Sequence, residues 1–163
     1  MQSLPALLRA ARFLLGYSQS HVETSCKLTG RFLITLENGT RQRLPGAALA
    51  VKDFYELHGV EFVDPRDGHG AGIRWRSSVT TDPFEGQAFR AARGLADLSQ
   101  DKLAEQAQVG RKFIALLERG ELKSINLETL KKIELCLRDL NIEVTRATSS
   151  HGAGTRWINN PLP

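Results

Sequence analysis

The sequence predicts a mainly α protein with a small amount of β structure, built as two similar helical modules, each closed by a two-stranded hairpin. Three observations lead there. Residues 69–75, HGAGIRW, recur as residues 151–157, HGAGTRW, with one letter changed. Upstream of each copy, apolar residues recur at the three-to-four spacing that lines up one face of a helix. Just before each heptamer the spacing changes to alternation, in Val60-Glu61-Phe62-Val63 and in Ile142-Glu143-Val144. That is the period of a strand with one face buried.

Sliding the chain by 81 residues aligns Arg9-Ala10-Ala11-Arg12 with Arg90-Ala91-Ala92-Arg93 and Ser18-Gln19 with Ser99-Gln100. The same shift aligns Phe32, Leu36, Glu37 and Gly39 with Phe113, Leu117, Glu118 and Gly120. One residue added in the second half moves the offset to 82, so that Glu61 meets Glu143 and the heptamers match. The first module then covers residues 1–76 and the second residues 84–158. Between them, residues 77–83, SSVTTDP, have the composition of a linker. Residues 159–163 form a proline-ended tail.

Composition narrows the classes. There are 22 lysines and arginines against 18 acids, a net charge of +4 that permits a polyanionic partner without demanding one. No apolar run has the length of a membrane span. The opening residues, MQSLPALLRAARFLLGYSQ, have no charged region ahead of the apolar part and no small-residue cleavage site, and read as the first helix of the mature fold. Cys26 and Cys136 occupy non-equivalent places and read as core thiols of a reducing compartment. Two cysteines and four histidines show no metal-ligand spacing. No nucleophile–base pair and no phosphate loop points to an enzyme, and no cofactor is implied.

In the second module Phe89, Ala92 and Leu95 make the first helical stripe. Ser99 is placed to cap a second helix running through Ala107. After a short turn, a third helix carries Phe113, Ile114 and Leu117 inward and stops at Gly120, a residue free to take positive φ. Asn126 caps a fourth helix with Leu127, Leu130, Ile133, Leu137 and Leu140 on one face. In each heptamer HGAG reads as the bend of the hairpin and the last three residues as its return strand. Alternation puts Trp75 and Trp157 on the face opposite Arg74 and Arg156, where the indoles fill core space. A phosphate-cradling role for HGAG lacks the usual strand–loop–helix setting. His69 and His151 as paired metal ligands have equally little behind them. The hairpins could instead pair edge to edge and hold the modules together through Ile73, Trp75, Thr155 and Trp157.

Helix, tight turn and helix, closed by apolar–Glu–x–Gly, is a helix-turn-helix arrangement. SQDKLAEQAQVGRKFIALLERG resembles the core of the lambda-repressor/Cro type, the XRE family, and RAARFLLGYSQ with TGRFLITLENG resembles it again in the first half. The resemblance implies two lambda-repressor-like bundles and sequence-specific binding of double-stranded DNA in transcription control. It also implies a bacterial, cytoplasmic, nucleoid-associated protein. As a pseudo-dimer, the chain would read two half-sites about one helical turn, roughly 34 Å, apart. A homodimer or another regulator are further partners the resemblance allows.

A recognition helix presents cationic or short side chains from its first turn to the major groove. In the second module these are Gly110, Arg111 and Lys112, with Ala115, Leu116 and Arg119 further along. Arginine and lysine match guanine O6 and N7. Gln100 and Gln19 occupy the position that bonds a DNA phosphate in the family. Lys123, and Arg41 and Arg43 of the first module, suit phosphate contacts that position without reading bases. Thr29, Arg31 and Thr35 complete the first module's candidate surface.

Other matches are structural. Arg12 with Glu37, and Arg93 with Glu118, occupy the family's buried salt bridge. Phe32 and Phe113 read either as packing groups or as contacts to a thymine methyl. The first module departs from the pattern twice. Glu23 stands where the second module has Ala104, so either the helices shift or the carboxylate escapes to solvent. Gly30 stands at the Arg111 position, removing a donor and weakening the helix. A protein-interaction module on the same scaffold, binding another regulator or RNA polymerase, is the competing function.

Overall fold

The computed structural model describes residues 4–39, 45–79 and 81–159. Arg41 and Arg43 lie outside the described residues. Four helices and two strands follow one another in the same order twice. The first set is α1 (Leu4–Leu15), α2 (Gln19–Ser25), α3 (Phe32–Glu37), α4 (Gly46–Leu57), β1 (Val60–Val63) and β2 (Gly72–Trp75). The second is α5 (Gly86–Leu95), α6 (Gln100–Ala107), α7 (Arg111–Arg119), α8 (Leu127–Asp139), β3 (Ile142–Thr145) and β4 (Gly154–Trp157). None of the described helices is long and apolar enough to cross a membrane.

Local chemistry sets the helix ends. Ser18 Oγ accepts from His21 N at 3.1 Å, and Ser99 Oγ accepts from Lys102 N at 3.1 Å, so the second helix of each half starts one residue after a serine. Asn126 Oδ1 accepts from Thr129 N at 3.0 Å and starts α8. Gly120, at φ +69°, ends α7. Asp82, at the far end of the 77–83 segment, is buried, and its carboxylate accepts from Phe84 N at 3.0 Å and Gly86 N at 2.6 Å, which fixes the start of α5.

One apolar core runs through both halves. Its centre is α1 packed on α5, where Leu8, Ala10, Ala11 and Leu14 are buried together with Phe89, Ala91 and Ala92. The alanines keep the contact surface shallow, so the helices approach closely. In α8 the buried stripe is shorter than the periodicity predicts. Leu130, Ile133 and Leu137 are buried, but Leu127 on the first turn and Leu140 at the C-terminal cap are exposed, because the helix ends extend past the core. Cys26 and Cys136 are free, half-buried thiols, and burial pushes both above the ordinary thiol range.

The strands form a single antiparallel sheet in the order β1-β2-β4-β3. Each hairpin pairs within its own half, Val60 with Trp75 and Ile142 with Trp157. The bends lie three residues earlier than the sequence pattern places them, over residues 66–69 and 148–151. Arg66 and His69 close a turn over Asp67-Gly68, and Thr148 N donates to His151 O at 2.9 Å over the equivalent pair. Gly70-Ala71 and Gly152-Ala153 are not bend residues. They run alongside the opposite half.

The heptamers pair with each other. β2 and β4 are antiparallel neighbours with Gly72 opposite Arg156, Ile73 opposite Thr155 and Arg74 opposite Gly154. Gly70 N donates to Trp157 O at 3.0 Å and Gly152 N to Trp75 O at 2.8 Å. Trp157 N donates to Ala71 O at 3.1 Å and Trp75 N to Ala153 O at 3.0 Å. Each bond has its counterpart with the halves exchanged, a local two-fold relation. A Cβ on Gly72 would fall on the Thr155 carbonyl, and one on Gly154 on the Ile73 carbonyl. These glycines are retained because backbone from the other half occupies their side-chain space.

Gly154→Ala is therefore expected to destabilise the protein by more than about 1 kcal/mol. Gly46→Ala, at a helical glycine with nothing within 4 Å of its added Cβ, should leave stability unchanged or raise it slightly. Urea denaturation of the two variants beside the wild type measures the difference.

Candidate nucleic-acid interface

A buried clamp positions the third helix in each half. Arg93 Nε donates to Glu118 Oε1 at 2.7 Å and Nη2 to Oε2 at 2.9 Å, while Nη1 reaches Leu98 O at 2.9 Å. Gln100 Nε2 donates to Glu118 Oε2 at 2.9 Å. Three consecutive helices, α5, α6 and α7, are thereby tied to one carboxylate whose side chain is 2% exposed. The first half repeats the arrangement. Arg12 holds Glu37 at 2.7 and 2.8 Å and Tyr17 O at 3.1 Å, and Gln19 Nε2 donates to Glu37 at 3.1 Å. Gln100 and Gln19, read as phosphate contacts, thus each commit one N–H to the clamp. The amide's second N–H is the one left for an outside acceptor.

The clamp sets α7 across α6 with only residues 108–110 between them. Gly110 is the N-cap of α7 and stands in open space. Arg111 and Lys112 follow on the first turn, both exposed. Arg111 Nε lies 2.9 Å from Asp101 Oδ1 on α6, an exposed pair. Ala115 and Leu116 are half-buried on the next turn. Arg119 is exposed and paired with Glu121 at 3.0 Å, and Lys123 is exposed just beyond. Phe113 packs against the core, as does Phe32 in the first half. The result is a short helix, rigidly backed, with two cations and free helix-terminal N–H groups facing outward, a surface that suits anions.

The first half builds this surface differently. Gly30 and Arg31, equivalent to Arg111 and Lys112, are not helical. Arg31 is the N-cap in a left-handed conformation at φ 66°, and α3 has 6 residues where α7 has 9. Thr29 and Arg31 are exposed, and Thr35 Oγ1 donates to Arg31 O at 3.0 Å. Glu23 does not escape to solvent. Its Oε1 accepts from Leu33 N at 2.9 Å, so a half-buried carboxylate caps the start of α3. That carboxylate occupies the Leu33 N–H, one of those a phosphate would use, and repels a phosphate by charge.

Two residues that join the halves escaped the sequence reading. Arg9 Nε donates across the molecule to Gly94 O at 2.6 Å, and Nη1 to Glu37 O at 2.9 Å. Its equivalent Arg90 reaches back to Phe13 O at 2.5 Å and Leu14 O at 3.2 Å. Arg9 is 9% exposed, and burial draws the Arg90 guanidinium below its ordinary value. The available signal was an arginine repeated on the apolar face of both first helices. Of the residues read as joining the hairpins, Ile73 and Thr155 are buried opposite each other, and Thr155 Oγ1 donates to Glu143 O at 2.8 Å. Trp75 and Trp157 are half-buried against the core, and Trp75 Nε1 donates to Gln87 at 3.0 Å. Among the described residues, no group of three His, Cys, Asp or Glu is placed to hold a metal ion.

Comparison with known proteins bears on the second half. Residues 89–143, from α5 to β3, match the family model described as helix-turn-helix. No curated protein and no solved structure matches the chain.

Removing Arg93 leaves Glu118 charged and buried without its partner. Arg93→Ala is expected to lower stability by about 3–5 kcal/mol. Arg119→Ala, which breaks an exposed pair, should stay within about 1 kcal/mol of wild type. Chemical denaturation followed by far-UV circular dichroism compares them.

Proposed function

We propose that the protein is a sequence-specific DNA-binding transcriptional regulator whose two halves act as a built-in pseudo-dimer on a two-half-site operator, with the second half as the principal reader. The observation that carries this is the start of α7. Arg111 and Lys112 project from the first turn of a helix whose far end is held through Glu118 by Arg93 and Gln100, within the segment that matches the helix-turn-helix family. Arg111 is suited to guanine readout, while Lys112, Lys123 and the second N–H of Gln100 suit phosphates. Joining both halves in one chain makes the second DNA contact intramolecular, which raises its effective concentration.

The first half supports a narrower role. Its third helix lacks the cationic first turn, and Glu23 occupies its N-terminus. It serves as a weak second contact or as a surface for another regulator or RNA polymerase.

Genome-wide occupancy mapping of the tagged protein supplies the operator. On that site Arg111→Ala is expected to cost about 1–3 kcal/mol and relax specificity at one base pair. Lys123→Ala should weaken operator and scrambled duplex alike and reduce the salt slope by about one. Arg31→Ala should have the smallest effect. Affinities at fixed and varied salt decide. If no change alters binding and no steep salt dependence appears, DNA is not the partner.

A further inference from the structure

Where the halves meet, backbone and arginine hydrogen bonds come in equivalent pairs related by the local two-fold. A residue close to such an axis meets its own counterpart. Phe13 is one, since its equivalent is Gly94 and the two are in contact. A Cβ built on Gly94 would lie 2.7 Å from Cγ and Cδ2 of Phe13. The ring is flanked evenly, with the guanidinium carbons of Arg12 and Arg93 each 4.9 Å from its centre. These are the two clamp arginines, one from each half, so the phenyl ring is a cation–π spacer between them.

We propose that Phe13 is a wedge that makes the two halves of this chain selective for each other over their own copies. Two first halves would bring two phenyl rings to one ring-sized space. Two second halves would bring two glycines and leave that space empty between the two guanidiniums, with the packing loss of a deleted core side chain. Other positions follow the same logic. Arg90 passes over Gly16, where a Cβ would lie 2.8 Å from its Nη2. The equivalent of Gly16 is Asp97, which pairs with Arg9 at 3.5 Å. A pair of first halves would set Arg9 over Gly16 and lose the Arg9–Asp97 ion pair that the unlike halves make. In the sheet, the pair at the axis is Ile73 with Thr155, the one letter by which the heptamers differ. At each of these places the halves are unlike, and the two faces are complementary rather than self-complementary.

The test uses the full-length chain with four residue pairs at the axis. Phe13 with Gly94 is the wild type, and Phe13→Gly with Gly94→Phe exchanges the two. Phe13→Gly alone mimics a pair of second halves, and Gly94→Phe alone mimics a pair of first halves. Each single variant is expected to lower Tm by about 10 °C. The exchanged chain should recover at least half of that loss, because Arg12 and Arg93 flank the ring equally from either side. A milder pair guards against failure to fold. Gly94→Ala should destabilise the wild type, but should become neutral or stabilising once Phe13→Ala has removed the ring, since alanine is the better helix former. The readout is thermal denaturation in a two-by-two cycle. An exchanged chain no more stable than the worse single variant would overturn the proposal. So would a Gly94→Ala penalty that persists without Phe13.

Discussion

Four arginines, Arg9 buried and Arg12, Arg90 and Arg93 half-buried, decide how this chain is assembled. A buried guanidinium must have its donors met, and the last carbonyls of a helix must have donors supplied. Each Arg-Ala-Ala-Arg segment answers both needs at once. Its second arginine turns inward to the glutamate at the end of its own third helix. Its first arginine crosses to the carbonyls that end the other half's first helix, where the partial negative charge favours it. Three residues apart on one helix, the two side chains lie side by side, and both reach the end of their own third helix while the first also crosses to the other half. So the internal order of each half and the joining of the halves come from the same four residues.

Much of this was legible in the letters. The helix order, the caps at Ser99 and Asn126 and the strands follow from periodicity and from residues with one dominant use, and the Arg–Glu clamps from the family resemblance. The hairpin bend was displaced because the glycines of HGAG looked like turn glycines. Gly72 and Gly154, which follow Ala71 and Ala153, instead make room for backbone contributed from about 80 residues away, a long-range demand that no local pattern carries. The crossing of Arg9 and Arg90 was missed for the same reason. In the sequence Glu23 implies either shifted helices or a carboxylate turned out to solvent. In place it meets a helix N-terminus, and whether it would depended on where α3 began.

The start of α3 shows how one residue type redirects a surface. Gly30 does not hold the first helical turn, Arg31 takes a left-handed conformation, and the helix opens at Phe32 instead. The N–H groups that α7 leaves for solvent are in α3 partly covered by Glu23. The clamp behind the helix is nonetheless intact, with Arg12–Glu37 distances close to those of Arg93–Glu118. The framework and the outward surface have therefore diverged separately, the framework constrained by burial and the surface not.

The unequal third helices also give the molecule a polarity. A symmetric dimer laid on a duplex looks the same from upstream and downstream. This chain does not, because α7 and α3 are the third helices of its two halves and differ in length and in their first turn. On the function proposed above, one side would anchor to its half-site and the other would face away in a fixed direction along the DNA. A bound chain would thus carry an arrow, pointing a neighbouring protein toward one flank of the site and not the other.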